Sequence, residues 1–249
     1  METEELEEYL KNLNQNLEEI KIKLSMPNSI AQIRNARFWL PNYPRDIIQK
    51  IMVKTSDYWD TYALNYIDIF IKEHATILDI GANIGSHSIY WAIERNVDKI
   101  YSFEPLPATF EILKKNIELN KLEDKIIPYN FGLSDKKSKA MLQTYTPDNI
   151  GAASFTKNKN GLFELRTLDS LKIKDKIDLI KIDVEGAEVE VLKGAKKTII
   201  KNTPTIVIES FNRKNEIDEF LNPLGYLKTL SIREGEDYVY QFINEKAII

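Results

Sequence analysis

The sequence predicts an α/β fold: a parallel sheet with helices on both faces, finished by an antiparallel hairpin and preceded by a helical extension. Three observations carry this. From residue 76 onward short apolar runs alternate with amphipathic stretches, the rhythm of βαβ units. Asp79-Ile80-Gly81-Ala82-Asn83-Ile84-Gly85 follows the first run at a strand-to-helix junction, and Phe103-Glu104-Pro105 ends the second. The last two runs, Tyr226–Ile232 and Tyr238–Ile243, flank a Glu-Gly-Glu turn and read as a hairpin.

Bulk composition bounds the rest. The 249 residues, 43% hydrophobic, can bury one large core with little left for a second domain. A net charge of −4 argues against a dedicated nucleic-acid binder, whose footprint is a basic face. With no cysteine there is no disulfide framework, thiolate metal site or cysteine nucleophile. No apolar run approaches the roughly eighteen residues of a membrane span, and the acidic N-terminus lacks a signal pattern. Cytoplasmic residence is the expectation.

Taken in order, Leu6, Leu10, Leu13, Leu17, Ile20 and Leu24 step by fours and threes, the a/d spacing of a short coiled coil over 6–24. Such an arm lies on the body of the protein, joins two copies in a homodimer, or is a frayed end. Pro27 and Pro41-Asn42-Tyr43-Pro44 break the helical pattern, and residues 1–56 are assigned to a helical extension. The main domain, 57–249, opens with a helix on which Trp59, Tyr62, Ala63, Tyr66, Ile67 and Phe70 share a face, with Asp57 as its N-cap. Strand 76–80 leads into helix 86–95, strand 99–103 into helix 107–120, and strand 125–130 follows. An insertion, 134–168, holds short strands at Lys139–Tyr145 and Leu162–Thr167, joined by a polar connection containing Asn149 and Ser154. Lying at the carboxyl side of the sheet, that connection is the expected substrate loop. Strand 177–183, helix 186–201, strand 205–209 and helix 213–222 then precede the hairpin. A parallel sheet finished this way is the pattern of a Rossmann-like class I methyltransferase core.

The first motif is built for an adenosine-containing cofactor. Gly81 and Gly85 let the backbone turn tightly and approach a ligand, and the helix beyond Gly85 presents free N–H groups. Glu104 can accept from both ribose hydroxyls. A dinucleotide fingerprint needs glycine where Asn83 stands. Asp79 would repel a pyrophosphate but suits the ammonium of a methionine moiety, which favours S-adenosylmethionine (SAM) over NAD. Asp79, Gly81, Ala82, Asn83, Gly85, Glu104 and Asn130 form the expected cofactor set.

A second cluster, Ile180-Lys181-Ile182-Asp183-Val184-Glu185-Gly186-Ala187-Glu188, ends the fourth strand, and Glu209 ends the fifth. Asp183 is the first candidate for a catalytic base, with Glu209 or His87 assisting; Asp183 and Glu209 are also the candidate ligands should a divalent cation be used. Glu185, Asn149 and Ser154 are expected to face the acceptor. Of the two histidines, His74 reads as a surface residue, whereas His87 falls in the first turn after Gly85, where a helix N-terminus disfavours the imidazolium.

Asp79–Gly85, Phe103-Glu104-Pro105, Asn116 with Asn120, Thr167-Leu168-Asp169-Ser170-Leu171, Ile180–Glu188 with Leu192-Lys193-Gly194-Ala195, and Pro204 before Ile208-Glu209 together resemble the FkbM family. The resemblance runs in unbroken order over roughly residues 57 to 211. It implies a SAM-dependent methyltransferase, mostly acting on oxygen, with Asp79, Gly81, Asn83, Gly85 and Glu104 toward SAM and the Asp183/Glu185 strand end toward the acceptor. The leading expectation is transfer to a hydroxyl of a small polar acceptor. A sugar, sugar-phosphate or nucleotide-sugar of bacterial surface polysaccharide synthesis is the first class. The alternatives are a NAD-dependent oxidoreductase and a non-catalytic scaffold that keeps the fold.

Overall fold

The computed structural model describes residues 30–233 and 236–243. The heptad arm and part of the Glu-Gly-Glu turn lie outside the described residues.

Residues 30–56 depart from the all-helical expectation. Ile30–Ile33 (β1) and Ala36–Trp39 (β2) form an antiparallel ribbon, and only Ile47–Thr55 (α1) is helical. The ribbon is held from outside itself. Asn116 and Asn120, one turn apart on a later helix, act as a substitute strand: Trp39 N–H donates to Asn116 Oδ1 at 2.7 Å and Arg37 N–H to Asn120 Oδ1 at 2.8 Å. Asn120 Nδ2 returns a bond to the Arg37 carbonyl. Four-residue spacing on a helix matches two-residue spacing on an edge strand closely enough for both bonds to form.

Next come Thr61–Ile67 (α2), continued by a 3-10 turn, Thr76–Ile80 (β3), Ser86–Glu94 (α3), Lys99–Phe103 (β4), Pro107–Leu119 (α4) and Ile126–Tyr129 (β5). The cap of α2 is Asp60, whose carboxylate accepts from Ala63 N–H, not Asp57. Asp57 instead pairs with Arg34 of the ribbon. The insertion is a sheet rather than an open loop. Gly132–Leu133 (β6), Ser138–Thr146 (β7), Asn149–Lys157 (β8) and Phe163–Arg166 (β9) pair in the order β6-β9-β7-β8. Ile150-Gly151-Ala152-Ala153-Ser154-Phe155, read as a connection, is most of β8, because Thr146-Pro147-Asp148-Asn149 makes a tight turn and β7 supplies the pairing edge.

Leu179–Ile182 (β10), Glu188–Gly194 (α5), Lys196–Asn202 (α6), Thr205–Glu209 (β11), Lys214–Leu221 (α7), Tyr226–Ile232 (β12) and Asp237–Phe242 (β13) complete the chain. The single helix expected over 186–201 is broken after Gly194. A Cβ there would lie 2.0 Å from the Ser134 carbonyl oxygen, so the helix meets the insertion backbone to backbone. The second half then starts afresh on Asp169, which accepts from Lys197 and Thr198 N–H.

Among the described residues, seven strands form the main sheet in the order β5-β4-β3-β10-β11-β13-β12, with β13 antiparallel to both neighbours and the rest parallel. Strand alternation divides the core into two layers. Ile77, Ile100, Leu179 and Val207 face α3, α4 and the ribbon. Leu78, Ile80, Phe103, Ile180, Ile182 and Ile208 face α5, α6 and α7. Pro128, which lacks a ladder donor, sits in edge strand β5 where the loss is harmless.

Candidate active site

Strand order reverses between β3 and β10, and an open parallel sheet presents its crevice there, above the carboxyl ends of the strands. A crevice of about 420 Å³ occupies that position. Gly81, Ala82, Asn83 and Glu104 line it together with Asp183, Glu185 and Glu209, and with Trp59 and His87. Asn149 and its β8 neighbours roof it. Sequence candidates separated by more than a hundred residues thus share one cavity.

The glycine loop follows from steric necessity. A Cβ on Gly81 would fall 1.7 Å from the Asp183 carbonyl oxygen, so only glycine lets the tips of β3 and β10 meet. Gly81, Asn83 and Gly85 all hold positive φ. Asn83 N–H and Leu106 N–H each donate to one oxygen of Glu104, at 3.0 and 2.8 Å, leaving lone pairs on both for a ligand. Burial pushes the Glu104 carboxyl up to about 7, with the Leu106 and Asn83 amides partly offsetting. Asn83 Oδ1 is buried with no partner. A ligand-sized cradle, an unpaired acceptor and a fixed carboxylate at the second strand tip fit an adenosine cofactor. A second chamber of about 330 Å³ adjoins the crevice through Gly81 and Pro105, with Phe103, Leu133 and Ala187 among its walls.

Four expected contacts are placed elsewhere. Gly85 is not among the residues lining the crevice; a Cβ on it would meet Leu113 Cδ1 of α4 at 2.6 Å. Asp79 is fully buried beneath the crevice, accepting from Ser88 Oγ and lying 3.5 Å from Lys181 Nζ. Its charge reaches the cavity only through Lys181. Asn130 is exposed at the end of β5 and donates to the Glu104 and Pro105 carbonyls, shaping the loop instead of lining the cavity. Ser154 bonds Thr144 across the β7–β8 ladder and does not line the crevice.

Lys181 is the functional residue the sequence reading passed over. It is 6% exposed, sits opposite Asp79 in register, and donates to Asp183 Oδ2 at 3.0 Å and to the Gly81 carbonyl at 3.2 Å. Burial pulls its pKa down, but Asp183 and Asp79 outweigh that and hold the ammonium charged. A lysine inside an otherwise apolar central strand was the available signal, because a buried charge requires a partner. Burial and the neighbouring Lys181 lower the His87 pKa to about 3, so the ring is neutral at pH 7. Its Nε2 lies 3.2 Å from the Trp59 carbonyl oxygen and must carry the proton to bond there.

In the same crevice, burial, then Asp183 and Asp237, push Glu209 up to about 8, although Arg233 stands 3.5 Å away. Burial, then Asp183 and Glu188, push Glu185 up to about 7. The Asp183–Glu209 pair fits a divalent cation poorly. Each carboxylate already has a cationic neighbour, and among the described residues no three His, Cys, Asp or Glu side chains cluster as ligands.

The strand order, the glycine loop and the carboxylate at the second strand tip define a SAM-dependent methyltransferase. The chain belongs to the FkbM methyltransferase family, whose domain model matches residues 79–241. It is 28% identical over 189 residues to methyltransferase sdnD of Sordaria araneosa, covering 60% of this chain and 73% of that one. It is 31% identical over 129 residues to hexuronic acid methyltransferase AglP of Haloferax volcanii, covering 49% and 51%. The chain thus spans about three quarters of the first relative and half of the second. The crystal structure of methyltransferase FkbM from Methylobacillus flagellatus shares the fold at a TM-score of 0.51 and 19% identity, over 69% of this chain and 44% of that one. Family membership sets aside the oxidoreductase and scaffold alternatives. Among the described residues no helix is long and apolar enough to cross a membrane.

Proposed function

We propose that the protein is an O-methyltransferase acting on a hydroxyl of a small polar acceptor, with a sugar of surface polysaccharide synthesis as the leading class. One observation carries this reading: Gly81–Asn83 and Glu104 line the same crevice as the carboxylates of Asp183, Glu185 and Glu209. When bound, SAM supplies a sulfonium methyl, whose bond to sulfur breaks as the bond to the acceptor oxygen forms. Glu104 would accept from the ribose hydroxyls of the bound cofactor, and Phe103 and Leu133 in the second chamber would offer an apolar surface to its adenine. Asp183, oriented by Lys181, receives the hydroxyl proton late in the transfer. His87, with a conjugate acid near 3, is too weak a base for that step and would serve as a fixed contact lining the crevice. Most of the rate gain comes from holding acceptor oxygen and methyl in line. No metal is needed in this scheme; activity unaffected by EDTA is expected, and loss restored by Mg²⁺ would reassign Asp183 and Glu209 as ligands.

The test is incubation with SAM and a panel of plain, amino, phosphorylated and nucleotide-activated sugars, with mass detection of a methyl gain. No gain on any hydroxyl compound, with SAH binding intact, would sink the O-methylation reading. We further place the enzyme in the cytoplasm as a homodimer, with the chain before Pro27 as the dimerising arm and residues 57–249 as the catalytic domain.

A further inference from the structure

Beside the crevice, an acidic chamber of about 190 Å³ is bounded by Asp183, Glu185, Glu188, Glu209, Ser210 and Phe211. Among the described residues no lysine, arginine or histidine lines it. Two of its acceptors are buried without a partner: Glu188 Oε2, on a residue 2% exposed, and Ser210 Oγ, on one 3% exposed. The other Glu188 oxygen accepts from Gly186 N–H at 2.6 Å, which fixes the side chain and the direction of its free oxygen. Buried acceptors of this kind call for a donor. Among the described residues these carboxylates do not stand as a metal-ligand group. At the mouth Phe211 is 65% exposed, offering an aromatic face to a ring or a cation.

Resting on the methyltransferase reading above, we propose that this chamber binds a protonated amino group of the acceptor, so that the methylated hydroxyl belongs to an amino sugar or related amino-polyol. An ammonium brings three donors and a positive charge to a wall of carboxylates, the Ser210 hydroxyl and the Asn212 amide. A uronate or phosphate on the same acceptor face meets repulsion instead.

The experiment is calorimetry on the full-length protein, with and without saturating SAH, at about pH 7, where most of a sugar amine is protonated. The probes are D-glucosamine, D-glucose and D-glucuronate. Glucosamine should bind at least about tenfold more tightly than glucose, and glucuronate not at all. Glu188→Gln and Glu209→Gln should each weaken glucosamine about tenfold while leaving SAH affinity unchanged, which also reports an intact fold. Equal binding of glucose and glucosamine, preference for glucuronate, or variants with unaltered glucosamine affinity would overturn the proposal. Glucosamine binding without SAH binding would leave the chamber standing and topple the methyl-transfer reading; SAH binding without glucosamine binding would do the reverse.

Discussion

A carboxyl sealed from water holds its proton, whereas ribose hydroxyls bond best to the ionised form, and Glu104 stands between the two demands. With its pKa near 7 in the free protein, cofactor binding below that pH must first remove a proton. SAH affinity should therefore fall as pH drops below about 7, by up to about tenfold per unit, and level off above it. Glu104→Ala should abolish this dependence and weaken SAH by roughly 1.5–3 kcal/mol, the loss of charge-assisted bonds. A pH-independent wild-type affinity would remove Glu104 from the ribose. For chemistry, Asp183→Asn preserves shape and should leave SAH binding intact while turnover drops about a hundredfold or more; an unchanged rate would place the proton acceptor elsewhere. Lys181→Met is expected to act on stability. It leaves Asp79, 0% exposed, without its cation, at a cost of about 3–5 kcal/mol in denaturant melts. Unchanged stability in that variant would mean that Ser88 alone suffices for Asp79. Glu104 and Asp183 were visible in the sequence because each ends an apolar run. Lys181, two residues before Asp183, was not, since its role depends on the register that sets it opposite Asp79.

Between elements, the crevice depends on two close approaches. The first joins β3 to β10 at Gly81, and Gly81→Ala should eliminate SAH binding, because the Asp183 carbonyl would have to move. The second closes the roof. Asp46 caps α1 through Gln49 N–H and also accepts from Ile150 N–H of β8, while Ile47 N–H donates to the Asp148 carbonyl. The extension therefore clasps the insertion over the cavity. Asp46→Ala should release β8 and raise the acceptor KM several-fold with SAH affinity little changed; equal KM values would show that the roof holds without the clasp. The central strands were legible in sequence because they are buried on both faces and read as continuous apolar runs. The ribbon β1–β2 was not, since its register rests on Asn116 and Asn120, far along the chain. Nor was the division of α5 from α6, which answers to the Ser134 backbone.

For the whole molecule, the open matter is assembly. Burying Leu6, Leu10, Leu13, Leu17, Ile20 and Leu24 favours association by roughly 1.5–3 kcal/mol per side chain before ordering costs, and a helix of that length is marginal alone. Light scattering should report a dimer for the full chain and a loss of dimer for a chain starting near Pro27. A full-length monomer, or an equally dimeric truncation, would assign the arm another task. The sequence by itself determined the βαβ order, the cofactor loop and the carboxylates at the strand tips, because continuous apolar runs, glycine spacing and strand-end acids are local properties. Only the tertiary structure decided that Asp79 is a buried partner of Lys181, that Ser154 bonds Thr144 and does not line the crevice, and that Glu188 and Ser210 face an acidic chamber. Those outcomes turn on which residues from distant strands come to lie within a few ångströms, and burial and charge compensation are properties of that arrangement, not of spacing along the chain.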